Sequence, residues 1–324
     1  MNILYWARLK LAARLLEEGL AAVPGCDLTV VETTDEVLQR LPAAEGLVLY
    51  DAPVADARRV VAAIDEPASR LRWMHFVSAG REGFEAAGLP PRPAITYAAG
   101  AVAPTVAEHA MALLLALGRR VPEMVAQAAE RRWDRGLAQR AFSLEGRTLA
   151  IIGMGHIGQG VARRARAFGM RTIGLSRRAA PDAALDESLP LSRLHEVLAR
   201  ADAVVVAIAL AEGTRHLLDA AALAACRRGA VVVNVARGGV IDQAALVQAL
   251  RSGHLGGAGL DVTTPEPLPA DDPLWTAPNV LLSPHFGGGG SEASQRRLVE
   301  GAVGNLRRLL AGEPLQDVVQ PGRG

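Results

Sequence analysis

The amino-acid sequence predicts an α/β protein with two domains, and three observations support this prediction. The chain has 324 residues, more than a single hydrophobic core usually serves. Thr148–Arg178 has the pattern of a strand, a glycine turn, a helix and a second strand. Short apolar runs alternate with helical patterns both before and after this stretch. Such alternation is typical of parallel sheets that carry helices on their faces.

The first part of the chain, residues 1–98, alternates strand and helix patterns throughout. The predicted strands lie in NILYW, DLTVVE, GLVLYD, LRWMHFVSAG and AITYAAG, and the predicted helices cover 9–20, 35–41 and 55–64. Ligands of parallel sheets bind beyond the carboxyl ends of the strands. This rule points to Tyr50 and Asp51 after one run and to Ser78, Ala79 and Gly80 after another. Ala79 and Gly80 are small enough to present backbone N–H groups to an anion, although a plain turn explains them equally well.

Composition narrows the class of partner. The net charge is +1 and half of the residues are hydrophobic, which predicts an ordinary globular protein with small-molecule partners rather than one that binds nucleic acid or a membrane. The two cysteines, Cys26 and Cys226, lack metal-ligand spacing, so we expect neither a metal site nor a disulfide framework, and a reducing cytoplasm fits. We find no secretory leader or membrane-spanning run.

A long helix is predicted next, where Thr105 and Glu108 form a capping-box pattern before the run AMALLLAL. This run is apolar nearly all round, which indicates burial against a second surface, and a partner subunit is one candidate. We expect another helix over Val121–Trp133 and a loop at GLAQRAFSLEGR.

The glycine turn has the spacing Gly153, Gly155 and Gly158. Gly153 permits the tight turn, Gly155 lets backbone approach a pyrophosphate, and Gly158 lets the helix pack on the strand. The helix N-terminus then supplies free N–H groups and a partial positive charge. Because a strand precedes this turn and a helix follows it, the pattern predicts dinucleotide binding rather than a simple glycine-rich turn.

The end of the second strand of this unit predicts which dinucleotide is bound. Enzymes that use NAD place an acidic side chain there, whereas this chain has Ser176, Arg177 and Arg178. Two guanidinium groups can bind a 2′-phosphate that a carboxylate would repel. We therefore expect NADP(H) to be favoured over NAD(H), with a solvated arginine pair as the alternative.

The remainder of the chain completes a doubly wound pattern. A surface loop is predicted up to Pro190, followed by four buried-strand runs, ADAVVVAIAL, GAVVVNVARG, GGAGLDV and NVLLSPH. With the two earlier strands they make six. Ser291–Ala311 is predicted as an amphipathic helix with one broad apolar face, formed by Leu298, Val299, Ala302, Val303, Leu306, Leu309 and Leu310.

Three ionisable residues follow the last three of these runs, namely Arg237, Glu266 and His285. Parallel strands end at one edge of the sheet, so we expect the three side chains to meet where the dinucleotide lies. A cation can hold and polarise an oxo acid, a histidine can supply a proton near neutral pH, and a carboxylate beside the imidazole favours its protonated form.

These residues lie within stretches that resemble the D-isomer-specific 2-hydroxyacid dehydrogenase family over almost the whole chain. The stretches are VSAGREGF, APTVAEHA, IIGMGHIGQGVARRARAFGM, GTRHLL, NVARGGVIDQAALVQAL, GLDVTTPEPL and LLSPHFGG. TTPEPLP together with SRR looks most like the glyoxylate and hydroxypyruvate reductases, which generally prefer NADPH.

The resemblance implies a role for each candidate residue. Arg237 would bind the substrate carboxylate and polarise its carbonyl, His285 would exchange the proton, and Glu266 would orient His285. Backbone at Ala79 and Gly80 would bind the substrate carboxylate, and Tyr50 would line the substrate pocket. The cofactor-binding set would be Gly153, Gly155, His156, Ile157, Gly158, Ser176, Arg177, Arg178, Val235, Ala236, Asp261 and His285. The other histidines, among them His109, are interpreted as structural.

The resemblance also implies an arrangement of domains. A Rossmann nucleotide-binding domain, residues 99–285, would be inserted into a smaller flavodoxin-like α/β substrate domain, residues 1–98 and 286–324, and a homodimer through the inserted domain is expected. Two features depart from the family pattern. Ala209 and Leu210 replace a common proline, and the ribose-binding carboxylate is missing.

These observations predict an NADPH-dependent reductase of small 2-oxo acids that gives the D-2-hydroxy acid. Two alternatives stay open. One is a dehydrogenase of another D-2-hydroxy acid such as phosphoglycerate, and the other is a nucleotide-sensing binding module of the kind found in related corepressors.

Overall fold

A computed structural model of the chain describes residues 1–10 and 12–319. These residues form two compact units, one comprising Met1–Val102 with the described residues from Gly289 onward, the other Ala103–Gly288. The unit boundaries lie a few residues from the predicted positions 98/99 and 285/286. The end of the predicted 286–324 segment, from residue 320, and position 11 of the predicted first helix lie outside the described residues.

The first unit is built around a parallel sheet. Its elements before the second unit are β1 Asn2–Trp6, α1 Ala13–Ala21, β2 Asp27–Val31, α2 Thr34–Arg40, β3 Gly46–Leu49, α3 Val54–Asp65, β4 Trp73–Phe76, α4 Glu82–Ala87 and β5 Ala94–Tyr97. The strand order is β2-β1-β3-β4-β5, which is the flavodoxin-like order.

The second unit contains a larger sheet. Its elements are α5 Ala103–Gly118, α6 Val121–Ala129, α7 Leu137–Arg140, β6 Thr148–Ile152, α8 His156–Ala167, β7 Arg171–Ser176, β8 Glu187–Pro190, α9 Leu194–Arg200, β9 Ala203–Val206, α10 Ala220–Ala225, β10 Val231–Asn234, α11 Gln243–Arg251, β11 Gly257–Leu260 and β12 Val280–Leu282. All its strands are parallel, in the order β12-β11-β10-β9-β6-β7-β8. The order reverses next to β6, as in a Rossmann sheet.

The final helix, α12 Glu292–Ala311, returns to the first unit and packs on α1. It buries Leu298, Ala302, Val303 and Leu306 in the same core as Tyr5, whereas Leu310, expected on the apolar face, is 39% exposed. The segment after it pairs with β5 through Thr96 and Val318. The predicted fold class, a Rossmann unit inserted into a flavodoxin-like unit, is confirmed.

Both sheets carry apolar clusters because their inner strands, such as β3, β4, β9 and β10, are buried along their whole length. Val204, Val206 and Val232 are fully buried and pack with α9, α10 and α11 on one face of the larger sheet. Helices α5 and α8 pack against one another, and α5 also lies on β10 and β11. The apolar surface of α5 is therefore covered within its own unit, so its AMALLLAL run does not require a partner subunit.

Several predicted boundaries are wrong. Helix α5 begins at Ala103, two residues before the predicted cap Thr105, because Pro104 is tolerated in a first helical turn where its missing N–H has no partner. Helix α6 ends at Ala129 rather than near Trp133.

Two segments predicted as loops contain regular structure. One holds the short helix α7, and the other holds β8, which adds a seventh strand to the six predicted for this sheet. Strand β8 pairs with the edge of β7 that would otherwise leave its N–H and C=O groups unpaired. Because β8 is itself the edge strand of the sheet, it tolerates a proline such as Pro190. Asp186 fixes the start of this strand by accepting the Thr172 N–H at 2.7 Å.

Candidate active site

The glycine turn of the second unit shows why three glycines stand at this spacing. A Cβ at Gly158 would lie 1.9 Å from the Gly153 carbonyl oxygen, and one at Gly153, whose φ is +100°, would lie 2.5 Å from the Ala207 carbonyl oxygen. At Gly155, in contrast, a Cβ would meet no atom within 4 Å. Gly153 and Gly158 are thus required by the fold, whereas Gly155 is not.

Gly155 is the N-cap residue of the twelve-residue helix α8, and as a glycine it has no side chain to bond the first N–H groups of the helix. His156, the first residue of α8, is exposed, and Ile157 is partly buried. An open glycine ahead of a helix N-terminus is a surface that fits the pyrophosphate of a dinucleotide. The residues around Gly155 therefore fit the predicted dinucleotide.

The predicted ribose site follows β7. Ser176 is the last residue of this strand, and its hydroxyl donates to the Arg178 carbonyl oxygen at 2.6 Å. The side chains of Arg177 and Arg178 are exposed. The turn therefore carries two cations beside an edge where NAD enzymes carry a carboxylate. Their contact with a cofactor phosphate stays a prediction.

The three predicted catalytic residues follow three adjacent parallel strands, β10, β11 and β12. His285 Nδ1 lies 2.8 Å from Glu266 Oε2. Glu266 also accepts the Thr263 N–H at Oε1, at 3.1 Å, so one carboxylate oxygen holds its own loop and the other faces the imidazole.

The ionisation of this pair is reciprocal. The hydrogen bond to Glu266 raises the pKa of His285 above its ordinary value, against the opposing effects of burial and of the Arg237 charge. Burial raises the pKa of Glu266, but the hydrogen bonds from His285 and Thr263 and the nearby charges of His285 and Arg237 outweigh it, so this pKa is lowered. The geometry therefore favours an imidazolium beside a carboxylate.

Arg237 follows β10 after Val235 and Ala236, which are 5% and 8% exposed. Its guanidinium donates to the Ala236 carbonyl oxygen at 2.7 Å, and the Asn234 side chain donates to the Arg237 carbonyl oxygen at 3.0 Å. Its charge acts on both His285 and Glu266. The structure thus brings together the three residues that the sequence places after successive strands.

Asp261 is buried, with 3% of its surface exposed. Its Oδ1 accepts the Ser283 hydroxyl at 2.7 Å and the Phe286 N–H at 3.1 Å, and its Oδ2 accepts the Gly287 N–H at 3.0 Å. These contacts hold the loop that carries His285. The predicted position of Asp261 beside the nicotinamide stays a prediction.

His109 and Ser283 are contacts that the sequence did not indicate. His109 lies in α5, and its Nε2 is 2.9 Å from Ser283 Oγ. The two residues are 174 positions apart, so no local pattern could have joined them.

In the first unit, the candidate substrate residues lie after β3 and β4. Tyr50 is 3% exposed and packs in the cluster that includes Tyr5, and burial raises the pKa of its hydroxyl. The Asp51 carboxylate accepts the Gly83 N–H at 2.8 Å and the Phe84 N–H at 3.2 Å, at the start of α4. Asp51 thus has an evident structural role.

Ala79 and Gly80 form the turn after β4. Arg81 donates to the Ala79 carbonyl oxygen at 3.2 Å, and the Ser78 hydroxyl donates to the Gly80 carbonyl oxygen at 3.2 Å. These bonds fix the turn through its carbonyl groups. Anion binding by its N–H groups stays a prediction.

The chain resembles known proteins over most of its length. A model of the NAD-binding domain of D-isomer-specific 2-hydroxyacid dehydrogenases matches residues 111–287. The chain is 34% identical over 295 residues to a D-3-phosphoglycerate dehydrogenase of Mycobacterium bovis, which covers 90% of this chain and 54% of that protein. It therefore spans about half the length of the first curated relatives that it matches.

Two further relatives are matched over nearly their full length. A glyoxylate/hydroxypyruvate reductase B of Citrobacter koseri is 34% identical, over 90% of this chain and 89% of that protein. A solved D-isomer-specific 2-hydroxyacid dehydrogenase of Xanthobacter autotrophicus, in complex with NADPH and MES, is 28% identical with a TM-score of 0.78, over 99% of this chain and 98% of that one.

Among the described residues, helices with the length and apolar character needed to cross a membrane are absent. Over the same residues, no group of three or more His, Cys, Asp or Glu side chains is arranged to hold a metal ion.

Proposed function

Since this chain belongs to the D-isomer-specific 2-hydroxyacid dehydrogenase family, we propose that it reduces small 2-oxo acids of the glyoxylate/hydroxypyruvate type to D-2-hydroxy acids. The observation that carries this proposal is the His285–Glu266 pair at 2.8 Å beside the Arg237 charge. The nicotinamide dinucleotide, when bound, supplies the hydride.

Each of the three side chains then has a defined task. His285, held as imidazolium by Glu266, donates its proton to the oxygen of the reacting carbonyl. Arg237 binds the substrate carboxylate through its planar pair of N–H donors and stabilises negative charge on the reacting oxygen. Glu266 keeps the imidazole oriented by accepting from Nδ1, which directs the other ring nitrogen to the substrate.

We further propose NADPH as the preferred cofactor. This rests on Arg177 and Arg178 at the end of β7, where no carboxylate occupies the three positions 176–178. The relative from Xanthobacter, solved with NADPH, supports the same preference.

Phosphoglycerate oxidation is the second candidate, favoured by the 34% identity to D-3-phosphoglycerate dehydrogenases. Its oxo acid carries a phosphate that the smaller substrates lack. Substrate preference therefore separates the two candidates.

A homodimer and a cytoplasmic location complete the proposal. The dimer is supported by apolar side chains exposed on and after α6, since Met124, Val125 and Trp133 are 45%, 64% and 90% exposed. The location is supported by Cys26 and Cys226, which are both free thiols. Light scattering of the purified protein tests the oligomeric state.

A substrate panel tests the proposed activity. NADPH and NADH oxidation would be measured with glyoxylate, hydroxypyruvate, pyruvate, phenylpyruvate and 3-phosphohydroxypyruvate, with His285→Gln as the control for background. We expect the highest kcat/KM with glyoxylate or hydroxypyruvate and NADPH. A clear preference for 3-phosphohydroxypyruvate would favour the second candidate, and no oxidation with any oxo acid would favour a binding module instead.

A further inference from the structure

A chain of hydrogen bonds runs beneath the loop that carries His285, and it begins on a different element. His109 of α5 contacts Ser283 Oγ at 2.9 Å, and Ser283 Oγ contacts Asp261 Oδ1 at 2.7 Å. His109 Nε2 also lies 3.3 Å from Asp261 Oδ1. The side chains of His109 and Asp261 are 14% and 4% exposed, so this network is shielded from water.

The hydroxyl of Ser283 fixes the direction of these bonds. An ionised carboxylate only accepts, so the single hydroxyl proton of Ser283 goes to Asp261. Ser283 Oγ is then the acceptor for His109, which must carry its proton on Nε2. The order of donation is therefore His109 to Ser283 to Asp261.

Asp261 in turn holds the backbone around His285 through hydrogen bonds. Its carboxylate accepts the N–H groups of Phe286 and Gly287 at 3.1 and 3.0 Å, and its carbonyl oxygen accepts the His285 N–H at 2.9 Å. His285 has a φ of +51°, a left-handed conformation that non-glycine residues adopt rarely and that persists where neighbouring contacts hold it.

Packing limits the position of the His109 ring as well. The Phe286 ring lies edge-on to it, with the ring centroids 4.8 Å apart. A Cβ at Gly287 would lie 3.0 Å from His109 Cδ2 and 2.8 Å from Asp261 Oδ2, so the backbone at 287 lies directly against both side chains. His109 thus contacts the residues that follow His285, Phe286 by its ring and Gly287 by its backbone.

We propose that His109 is a positioning residue for the reaction, which through Ser283 and Asp261 holds the 283–287 backbone so that the His285 imidazole meets Glu266. This inference rests on the proposed function of the site. It assigns a role in catalysis to a side chain of α5, an element that carries none of the three proposed catalytic residues.

Kinetics of four variants test the proposal. His109→Leu removes the donor, His109→Gln keeps an N–H donor at a similar reach, Ser283→Ala removes the bridge, and the fourth variant combines His109→Leu with Ser283→Ala. His195→Leu, an exposed histidine on α9, is the matched control. We expect His109→Leu to lower kcat about tenfold with KM for the oxo acid and Kd for NADPH within about twofold of wild type.

Two features separate positioning from a general loss of stability. His109→Gln recovers most of kcat, and the double variant loses little more than either single variant, because both changes break the same chain of bonds. Thermal unfolding of each variant identifies any that are merely unfolded, and kcat is then compared per folded molecule.

A readout that needs no turnover is the titration of His285 followed by NMR, with His285→Gln identifying its signal. His285 faces Glu266, Arg237 and Asp261, and a displaced imidazole loses the hydrogen bond to Glu266. We expect the pKa of His285 to fall in His109→Leu, to stay near wild type in His109→Gln, and to be unchanged in His195→Leu.

An unchanged kcat and an unchanged His285 titration in His109→Leu would overturn the proposal, as would losses that add independently in the double variant. A wild type that reduces no 2-oxo acid would instead reject the proposed function. The NMR titration would then decide alone whether His109 positions His285.

Discussion

His285 and Glu266 share the proposed acid–base work because each favours the charged form of the other. The contact of 2.8 Å between them raises the pKa of the imidazole and lowers that of the carboxyl group. In the proposed oxo-acid reduction the His285 imidazolium is the proton donor, so we expect its raised pKa to extend activity towards higher pH. The charge of Arg237 opposes this effect on His285, and Glu266 outweighs it.

Glu266→Gln should therefore change the pH profile of reduction. Activity falls as pH rises through the pKa of His285, and a neutral amide no longer raises that pKa, so the fall should begin at lower pH in the variant. Glu300→Gln, which changes an exposed carboxylate of α12, is the control. Initial rates across the pH range provide the measurement, and superimposable profiles for Glu266→Gln and wild type would mean that Glu266 does not act on His285.

Arg237→Ala should reduce kcat/KM by about two to four orders of magnitude, because it removes the two charge-assisted hydrogen bonds that we propose Arg237 makes to the substrate. Arg237→Lys should recover little, since a point charge does not reproduce a planar pair of donors. Steady-state kinetics with the preferred oxo acid measure this loss, and Arg228→Ala, an exposed arginine, serves as control. Retention of activity within a few-fold in Arg237→Ala would reject the assignment.

The arginine pair after β7 makes a separate prediction about the cofactor. The double variant Arg177→Ala with Arg178→Ala should weaken NADPH binding by about two to three orders of magnitude if both contact the phosphate, and leave NADH nearly unaffected. Addition of Ser176→Asp should shift preference towards NADH, because a carboxylate accepts from the ribose and repels the phosphate.

The measurement is kcat/KM with both cofactors, and the exposed pair Arg131→Ala with Arg132→Ala is the control. An unaltered cofactor ratio in the Arg177 and Arg178 variant, or a wild type that prefers NADH, would show that these arginines do not contact the cofactor phosphate.

Single residues also show where sequence reasoning stops. Arg237, Glu266 and His285 could be identified because each follows a recognisable apolar run, and parallel strands bring their ends to one edge. His109 could not, since its partner Ser283 is 174 residues away and a histidine in an apolar helix has no distinctive pattern. Asp51 lies after a strand as a ligand-binding residue would, yet its carboxylate begins α4.

At the level of elements, the strand β6, the glycine turn and the helix α8 act as one unit. Gly153 and Gly158 let strand and helix approach, whereas Gly155 leaves open space at the helix N-terminus. The three glycines look alike in the sequence. Only the positions of the surrounding atoms separate the two that the fold requires from the one that we assign to the cofactor.

Gly155→Ala and Gly158→Ala should therefore affect different properties, the first cofactor affinity and the second stability. A Cβ at 155 meets no protein atom within 4 Å, so the thermal midpoint should stay near wild type while NADPH affinity falls about tenfold or more, since the methyl group occupies space expected for the pyrophosphate. A Cβ at 158 would overlap a backbone oxygen at 1.9 Å, so Gly158→Ala should lower stability by about 3 kcal/mol.

Thermal unfolding and cofactor titration of both variants measure these effects. Undiminished NADPH affinity in Gly155→Ala would place the cofactor elsewhere, and a Gly158→Ala protein as stable as wild type would contradict the close approach of helix and strand.

Element boundaries depended on contacts that no local window contains. Strand β8 forms because it pairs with the edge of β7. Its sequence, ESLP, is too short and too polar to predict a strand. Helix α4 likewise depends on Asp51, more than thirty positions earlier. Long apolar runs such as those of β9 and β10 were predictable because burial on both faces leaves a continuous signal.

For the molecule as a whole, alternation of strands and helices was enough to predict two α/β units, since each sheet needs its own apolar clusters. The strand orders were not contained in that alternation, because the same elements can be wound in several orders. They became predictable only through the glycine turn and the family resemblance, which identify a Rossmann sheet around β6. The net charge of +1 produces little overall field, so any selection of anionic ligands has to come from local charges, and we propose Arg237, Arg177 and Arg178 for that role.

In the proposed reaction, the chain transfers a hydride from a nicotinamide cofactor to the carbonyl carbon of a small 2-oxo acid and produces the D-hydroxy acid. The most direct test is reduction of hydroxypyruvate with NADPH deuterated at the transferable position, followed by mass and chiral analysis of the glycerate. We predict D-glycerate with one deuterium at C2, formed in equal amount to the NADPH oxidised and abolished in His285→Gln. L-Glycerate, product without deuterium, or no product with any of the oxo acids tested would reject the proposed reaction.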